Sequence, residues 1–306
     1  MALDASRAGY VLITGCSTGI GPATAVHLAR RGLSVIATAR TPLDASLGSG
    51  VHTLELDVTN AASISRAAEQ VQAIVGSDGL RGLVNNAGIC VAGPVEALSI
   101  DDWRRQFEVN LFGPLAVTKA MLPLLRVHRR KHGRHSARIV MVSSIAGRVS
   151  QPIAGAYCAS KHALEAASDA LRNELKPAGI DIALVEPGVF DTQLWRKAID
   201  QMSAAAAGPL PDGDYAWQIN AVCELAKGLS GKARPAEGVA KVIADCLLRP
   251  RAPVRVLVGT DAKLFARAKA WLPTRLFDST QRWAIERKRD QLAAQAAALR
   301  AESLQR

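Results

Sequence analysis

Cysteine is sparse. The five residues, Cys16, Cys90, Cys158, Cys223 and Cys246, are odd in number and scattered, with no CxxC pair. A small disulfide-stapled fold and a zinc site are therefore excluded, and the pattern reads as reduced thiols in a cytosolic protein. Nor is there a long unbroken apolar run. The most apolar window, Val109 to Leu125, is interrupted by Gly113, Pro114 and Lys119, which makes it a poor membrane span. Asp4 and Arg7 stand where the apolar core of a secretory signal would begin. Aromatic residues make up only 4% of the chain, and none interrupts the basic run 126–138, so that run offers no stacking platform for nucleic-acid bases.

What is present is an ordinary globular composition of 306 residues, 49% hydrophobic and 21% charged. That length suits one α/β unit with a large core. The formal charge of +11 is local: residues 126–138 hold six Lys/Arg and no acid, and residues 262–306 hold ten Lys/Arg against four acids. Both segments read as solvated charge rather than a nucleic-acid footprint, and no nucleic-acid partner is expected.

Short apolar strands alternate with longer helical stretches. Strands are expected at Tyr10–Thr14, Ser34–Ala39, Val51–Leu56, Leu83–Asn86, Ile139–Ser143, Ile182–Val185 and Val254–Val258. Helices are expected at Ile20–Arg31, Ala61–Val75, Asp101–Arg130 and Tyr157–Lys176. This alternation predicts an α/β, doubly wound parallel sheet with helices on both faces, a Rossmann fold. Residues 1–260 read as one unit, with a helical lid inserted at about 189–235, and 261–306 as a basic helical extension.

The first strand runs into Thr14-Gly15-Cys16-Ser17-Thr18-Gly19-Ile20-Gly21. Glycines between a strand and a helix allow a tight turn and close approach to a pyrophosphate at the helix N-terminus. The second strand ends at Arg40, with no acid before Asp44. An arginine there accommodates the 2′-phosphate of NADP, whereas an acid would bind the 2′-hydroxyl of NAD. NADP(H) is therefore the favoured cofactor, and a plain surface arginine is the alternative.

Tyr157 and Lys161 lie four apart on a predicted helix and share a face. An ammonium beside a phenol favours the phenolate and suits proton transfer near neutral pH. Ser144 ends a strand, where a hydroxyl can hydrogen-bond a carbonyl oxygen as charge develops. Each alone also reads blandly, as a helix surface pair and a loop serine.

In combination these segments resemble the classical short-chain dehydrogenase/reductase family. TGCSTGIG at 14–21, Asp57-Val58, NNAG at 85–88, Asn110, Ser144, YCASK at 157–161 and Pro187-Gly188 stand in the family's order, from residue 10 to about 192. The resemblance implies Tyr157 as general acid or base, Lys161 as its partner at the nicotinamide ribose, Ser144 on the substrate carbonyl, and Asn110 holding a water in a proton relay. It implies cofactor contacts from Gly15, Ser17, Thr18, Gly19, Ile20, Gly21, Asp57, Val58, Asn86, Ala87, Gly88, Pro187, Gly188, Val189 and Thr192, with no metal. Many NADP-binding relatives carry a basic residue at the position of Thr18, so the NADP reading rests on Arg40. VLITGCSTGIG, ATAR, YCASKHALEAASDALRNEL and VEPG resemble the hydroxysteroid and retinol dehydrogenase branch.

The segment after Gly188 carries Phe190, Leu194, Trp195, Ile199, Met202, Leu210, Tyr215 and Trp217. An apolar lid suits an apolar carbonyl or alcohol substrate of steroid, retinoid or lipid type; packing of the lid onto the core is the bland alternative. Leu264, Phe265, Ala268, Trp271 and Leu272 form one helical face ended by Pro273. That face reads as docking onto the body or onto a second subunit, with peripheral contact to an anionic membrane as the sharper reading. The resemblance implies a homodimer or homotetramer. The rival functions are a β-ketoacyl-thioester reductase and a non-catalytic, cofactor-bound sensor or scaffold.

Overall fold

The computed structural model describes residues 9–43, 47–206, 215–230 and 233–304. Asp4, Arg7, Asp44 and Leu210 lie outside the described residues. Seven strands form one sheet: β1 (Tyr10–Ile13), β2 (Ser34–Ala39), β3 (Val51–Glu55), β4 (Leu80–Asn85), β5 (Ala137–Val142), β6 (Ile180–Pro187) and β7 (Arg255–Val258). The spatial order is β3-β2-β1-β4-β5-β6-β7, with every neighbour parallel. The chain builds outward from β1 to β3, then returns to pair β4 with the other side of β1. This is the doubly wound parallel sheet expected from the sequence. The reversal opens a crevice at the carboxyl ends of β1 and β4.

Because side chains alternate across a strand, each strand feeds two cores. Leu12, Ile36, Leu83, Ile139 and Met141 pack on one face with Val71, Val117, Met121 and Leu164. These last come from helices α2 (Ala61–Val75), α4 (Gly113–His132) and α5 (Gly155–Leu175). Val11, Ile13, Val35, Val84 and Val140 face the other way, against Leu28 and Ile243. Those belong to α1 (Ile20–Arg30) and α8 (Glu237–Leu248). Burying one such Leu or Ile contributes about 1.5–3 kcal/mol, so the sheet is held from both sides.

The helix expected over Asp101–Arg130 is not continuous. It is α3 (Ile100–Phe107), a π-helical turn at Glu108–Phe112, and then α4. The wider turn rotates Asn110 inward, where it is fully buried. Two helices, α6 (Gln193–Ala206) and α7 (Ala216–Ser230), occupy the stretch read as a lid, and α9 (Thr260–Trp271) and α10 (Thr274–Leu304) follow β7. The last helix lies along α7, with Arg289 stacked on Trp217 at 5.0 Å.

The tail docks through only part of the face its apolar pattern suggested, Ala268 and Leu272. Ala262 and Phe277 are buried with Ile145 and Val149, and Ala266, Ala268 and Leu272 pack beside them. Leu264, Phe265 and Trp271 are exposed. Ala262, Ala266 and Ala268 approach the body closely, and Leu272 and Phe277 add the larger apolar contacts. Part of the basic run 126–138 is engaged locally. Lys131 pairs with Asp78, His135 with Asp181, and buried Arg138 donates to the carbonyls of Cys246 and Pro250. Among the described residues, no helix is long and apolar enough to cross a membrane.

Candidate active site

A cleft of about 720 Å³ opens at the carboxyl end of the sheet. One end is built by the glycine loop. Gly15 has φ +72, and a Cβ there would lie 2.7 Å from Ala87 Cα. Only glycine lets the two turns approach this closely without strain. Thr14 and Asn86 tie the turns together. Thr14 Oγ1 accepts from the N–H of Asn86 and of Ala87, each at 3.0 Å. Asn86 Nδ2 donates to the carbonyls of Thr14 (2.8 Å) and Gly15 (2.9 Å). Gly21 faces inward, where a Cβ would strike the Gly15 carbonyl.

Helix α1 starts directly after this loop. Its N-cap, Gly19, supplies no side-chain cap, and its first turn carries no acid. The first N–H groups and the positive end of the helix dipole therefore suit an anion such as a pyrophosphate. Pro22 falls in the first turn, where its missing donor costs nothing. Gly15, Ser17, Thr18, Ile20, Asn86, Ala87 and Gly88 line the cleft. Thr192 lies across from Gly19, whose added Cβ would be 3.2 Å from Thr192 Cγ2.

Arg40, Asp57 and Val58 line the far end. Arg40 is exposed at the tip of β2. The Asp57 carboxylate is held in its own turn, accepting from the Thr59 N–H at 2.9 Å and hydroxyl at 2.7 Å.

Ser144, Tyr157, Lys161, Pro187 and Gly188 line the other end of the cleft. Ser144 follows β5, Tyr157 and Lys161 lie in the first turns of α5, and Pro187 closes β6. The Ser144 hydroxyl accepts from the Ala146 N–H at 3.1 Å and is 3.5 Å from the Pro187 carbonyl. Lys161 Nζ donates to Val142 O at 2.9 Å and stands 5.9 Å from the Tyr157 ring centre. Burial dominates the protonation of both groups. It pushes the phenol up, partly offset by Ser144, and lowers Lys161 to about 8 despite the charge of Glu165. The expected lowering of the phenol by Lys161 is not seen, because the ammonium turns to the Val142 carbonyl. At neutral pH the pair is thus a protonated phenol beside a mostly charged ammonium.

Asn110 is packed behind this pair rather than on the cleft surface. Its Oδ1 accepts from Ile89 N–H at 2.9 Å, and its Nδ2 donates to Ile89 O at 3.0 Å and Ser160 Oγ at 3.2 Å. It pins the segment after NNAG to α5. Val189 lies just beyond Gly188, with its N–H given to Asp261 Oδ2 at 2.7 Å.

Gln106 escaped the sequence reading, and Thr14 was read there only as the first residue of the glycine loop. Thr14 locks the glycine loop, and Gln106 joins Asn110 on Ile89 and Ser160. Trp195 meets Tyr157 edge-on at 6.1 Å and lines the cleft with Phe190 and Leu194. Ile199 and Met202 pack beneath, in the cluster containing Tyr157. The apolar lid therefore divides into lining and packing roles. All five cysteines are buried and unbridged; burial pushes Cys16 and Cys90 up to about 12, far from a reactive thiolate. Among the described residues no group of three His, Cys, Asp or Glu could hold a metal ion.

A family model described as short chain dehydrogenase matches residues 9–203. The chain belongs to that family. Short-chain dehydrogenases are oxidoreductases acting on CH–OH and C=O groups with nicotinamide cofactors. This member is 34% identical to the NADPH-dependent 3-dehydrocapnine reductase of Ornithobacterium rhinotracheale, over 88% of this chain and 94% of that one. It is 36% identical to human (Homo sapiens) retinol dehydrogenase 5, over 93% and 91% of the two chains. Among solved structures, a short-chain dehydrogenase from Streptomyces avermitilis superposes with a TM-score of 0.72 at 30% identity, covering 92% of this chain and 97% of that one. These relatives support the retinol and hydroxysteroid dehydrogenase-like branch.

Proposed function

We propose that this short-chain dehydrogenase is an NADP(H)-preferring carbonyl reductase or alcohol dehydrogenase for apolar substrates of steroid, retinoid or lipid type. The observation that carries the reading is one cleft with Arg40 at one end and the Ser144–Tyr157–Lys161 group, under Trp195, at the other. Gly15, Ser17, Thr18, Gly19, Ile20 and Gly21 would hold the pyrophosphate, Arg40 the 2′-phosphate, and Asp57 and Val58 the adenine. Asn86, Ala87, Gly88, Lys161, Pro187, Gly188, Val189 and Thr192 would line the ribose and nicotinamide. The chemistry NADPH would supply, when held there, is hydride for a carbonyl carbon.

The chain's own part is proton management. Ser144 Oγ–H would donate to the carbonyl oxygen as charge builds on it. The Tyr157 phenol, kept protonated by burial, would pass its proton to that oxygen. Lys161 would stabilise the phenolate left behind. Asn110 would fix the backbone at Ile89 and so hold both halves of the site in register. Trp195, Phe190 and Leu194 would exclude water and favour an apolar substrate.

The test is coenzyme consumption across a ketosteroid, retinal, a medium-chain aldehyde and a β-ketoacyl thioester, with NADPH and NADH side by side. Turnover of an apolar carbonyl with NADPH is expected. Preference for the thioester would replace the substrate class. Unchanged function in Tyr157→Phe would instead establish a binding or scaffold role.

The assembly reading is a homodimer or homotetramer through α4 and α5, checked by sedimentation. Residues 1–260 are read as the catalytic unit, with 261–306 as its extension. A peripheral membrane reading is supported by Trp271, 85% exposed, and Leu264, 68% exposed, set among Lys263, Arg267, Lys269 and Arg275. Co-sedimentation with anionic but not zwitterionic vesicles, lost in Trp271→Glu, is the expected result.

A further inference from the structure

We propose that the segment after β7 positions both walls of the active-site cleft, through Asp261 on the nicotinamide side and Phe277 on the Ser144 side. The inference rests on the reading of the cleft as a nicotinamide site.

Asp261 is the second residue of α9, 72 positions from the segment it grips. Its Oδ2 accepts the Val189 N–H at 2.7 Å. The preceding amide, Gly188 N–H, donates to Val258 O at 2.9 Å. Two successive amides after Pro187 are thus anchored by the end of β7 and the start of α9. Gly188 is itself shaped by this contact, since a Cβ there would fall inside the Asp261 carboxylate. The other carboxylate oxygen, Oδ1, accepts from Arg234 Nη2 at 2.5 Å. Arg234 grips the same segment further along. Its carbonyl accepts the Asp191 N–H at 2.9 Å, and its guanidinium lies 5.6 Å from the Phe190 ring centre. The stretch 188–191 is therefore clasped between Asp261 and Arg234, and those two are joined to each other. A carboxylate suits this place because it accepts an amide with one oxygen and a guanidinium with the other, both as charge-assisted bonds.

The opposite wall is held by packing. Phe277 is 2% exposed and sits with Ile145, the residue after Ser144, and with Val149. Ala262, the neighbour of Asp261, belongs to the same cluster. Gln281 Nε2 adds a bond to Ser150 O at 3.3 Å. One rigid corner, α9 with the start of α10, thus touches both the turn carrying Ser144 and the stretch proposed to face the nicotinamide. Fixing two loops to one corner sets the distance between them, and such spacing matters because a misplacement of about 1 Å at reacting groups is costly. Asp261 and Phe277 are positioning residues.

The experiment compares the full-length protein with Asp261→Ala, Asp261→Asn and Phe277→Leu. Three quantities are measured: NADPH affinity by quenching of intrinsic fluorescence without substrate, KM and kcat for the best carbonyl of the panel, and the isotope effect on kcat with NADPH deuterated at the transferred position. Asp261→Ala is expected to weaken NADPH binding about tenfold and to raise the isotope effect. Asp261→Asn keeps the acceptor for Val189 and should fall between. Phe277→Leu should raise the carbonyl KM severalfold with NADPH affinity unchanged. A purely structural role would lower kcat in proportion to the folded fraction, with affinity, KM and isotope effect unmoved; that result overturns the proposal. Wild-type protein that binds neither NADPH nor NADH would remove the nicotinamide reading and this inference with it. Wild-type binding with unaltered Asp261→Ala affinity would remove this inference alone.

Discussion

Gly15→Ala tests whether the close approach of the glycine loop to the NNAG turn shapes this end of the cleft. Gly15 has φ +72, and the new methyl would lie 2.7 Å from Ala87 Cα and 3.0 Å from Ala87 N. Both are backbone atoms held by Thr14 and Asn86, so neither can swing aside. The left-handed conformation costs an L-residue about 1–2 kcal/mol, and forcing a methyl into packed backbone costs about 1–3 kcal/mol more. The expected loss of stability is therefore about 2–5 kcal/mol. Gly48→Ala is the matched control. Its φ is +97, yet nothing lies within 4 Å of its added Cβ, so it should lose only about 1–2 kcal/mol, the conformational part. Urea unfolding of the three proteins gives the stabilities, and fluorescence quenching gives NADPH affinity. Gly15→Ala should lose both stability and affinity, because relief of the clash must separate the loop from the NNAG turn. Gly48→Ala should keep wild-type affinity. If Gly15→Ala matched Gly48→Ala in both assays, the close approach of the two turns would not be what defines this end of the cleft.

Three further outcomes follow from charge and protonation. Arg40→Asp should shift coenzyme preference from NADPH towards NADH, by about 10–100-fold in the ratio of kcat/KM values if a charge-assisted bond to the 2′-phosphate is lost; an unchanged ratio would assign Arg40 to the bare surface. Lys161, lowered to about 8 by burial, is charged below that pH and neutral above it, so reduction should hold through neutrality and decline as pH rises past about 8. A rate that rose through that range would contradict the role given to the ammonium. His128 is lowered to about 4 by burial, then by His132, and bonds the Asp78 carbonyl through Nδ1 at 3.0 Å. The fold keeps it neutral while the unfolded chain takes up a proton below pH 6.5, so stability should fall by about 2 kcal/mol, discounted for partial solvent screening, between pH 6.5 and 4. His128→Gln should flatten that part of the urea-midpoint profile.

Local chemistry carried much of the reading. A glycine loop between strand and helix, and a Tyr/Lys pair one helical turn apart, are short-range patterns, so their spacing alone places them. Strand and helix order followed from apolar periodicity, because parallel strands must be buried on both faces. The edges of elements were less legible: β4 begins at Leu80, ahead of the strand expected at Leu83–Asn86. Asn110 could be named but not oriented. Its direction comes from a π-helical turn in a stretch that reads as plain helix, and from Ser160 fifty residues away.

The chain by itself therefore determined the sheet, the loop chemistry and the shared helix face of Tyr157 and Lys161, since each depends on neighbours a few residues apart. Only the tertiary structure decided how those groups are held. Thr14 locks a turn 72 residues distant, the phenol and ammonium are tuned by burial, and Asp261 occupies the space that Gly188 leaves open. Contacts at that separation carry no periodicity along the sequence. They become visible only once the core has packed and brought the start of α9 against the end of β6.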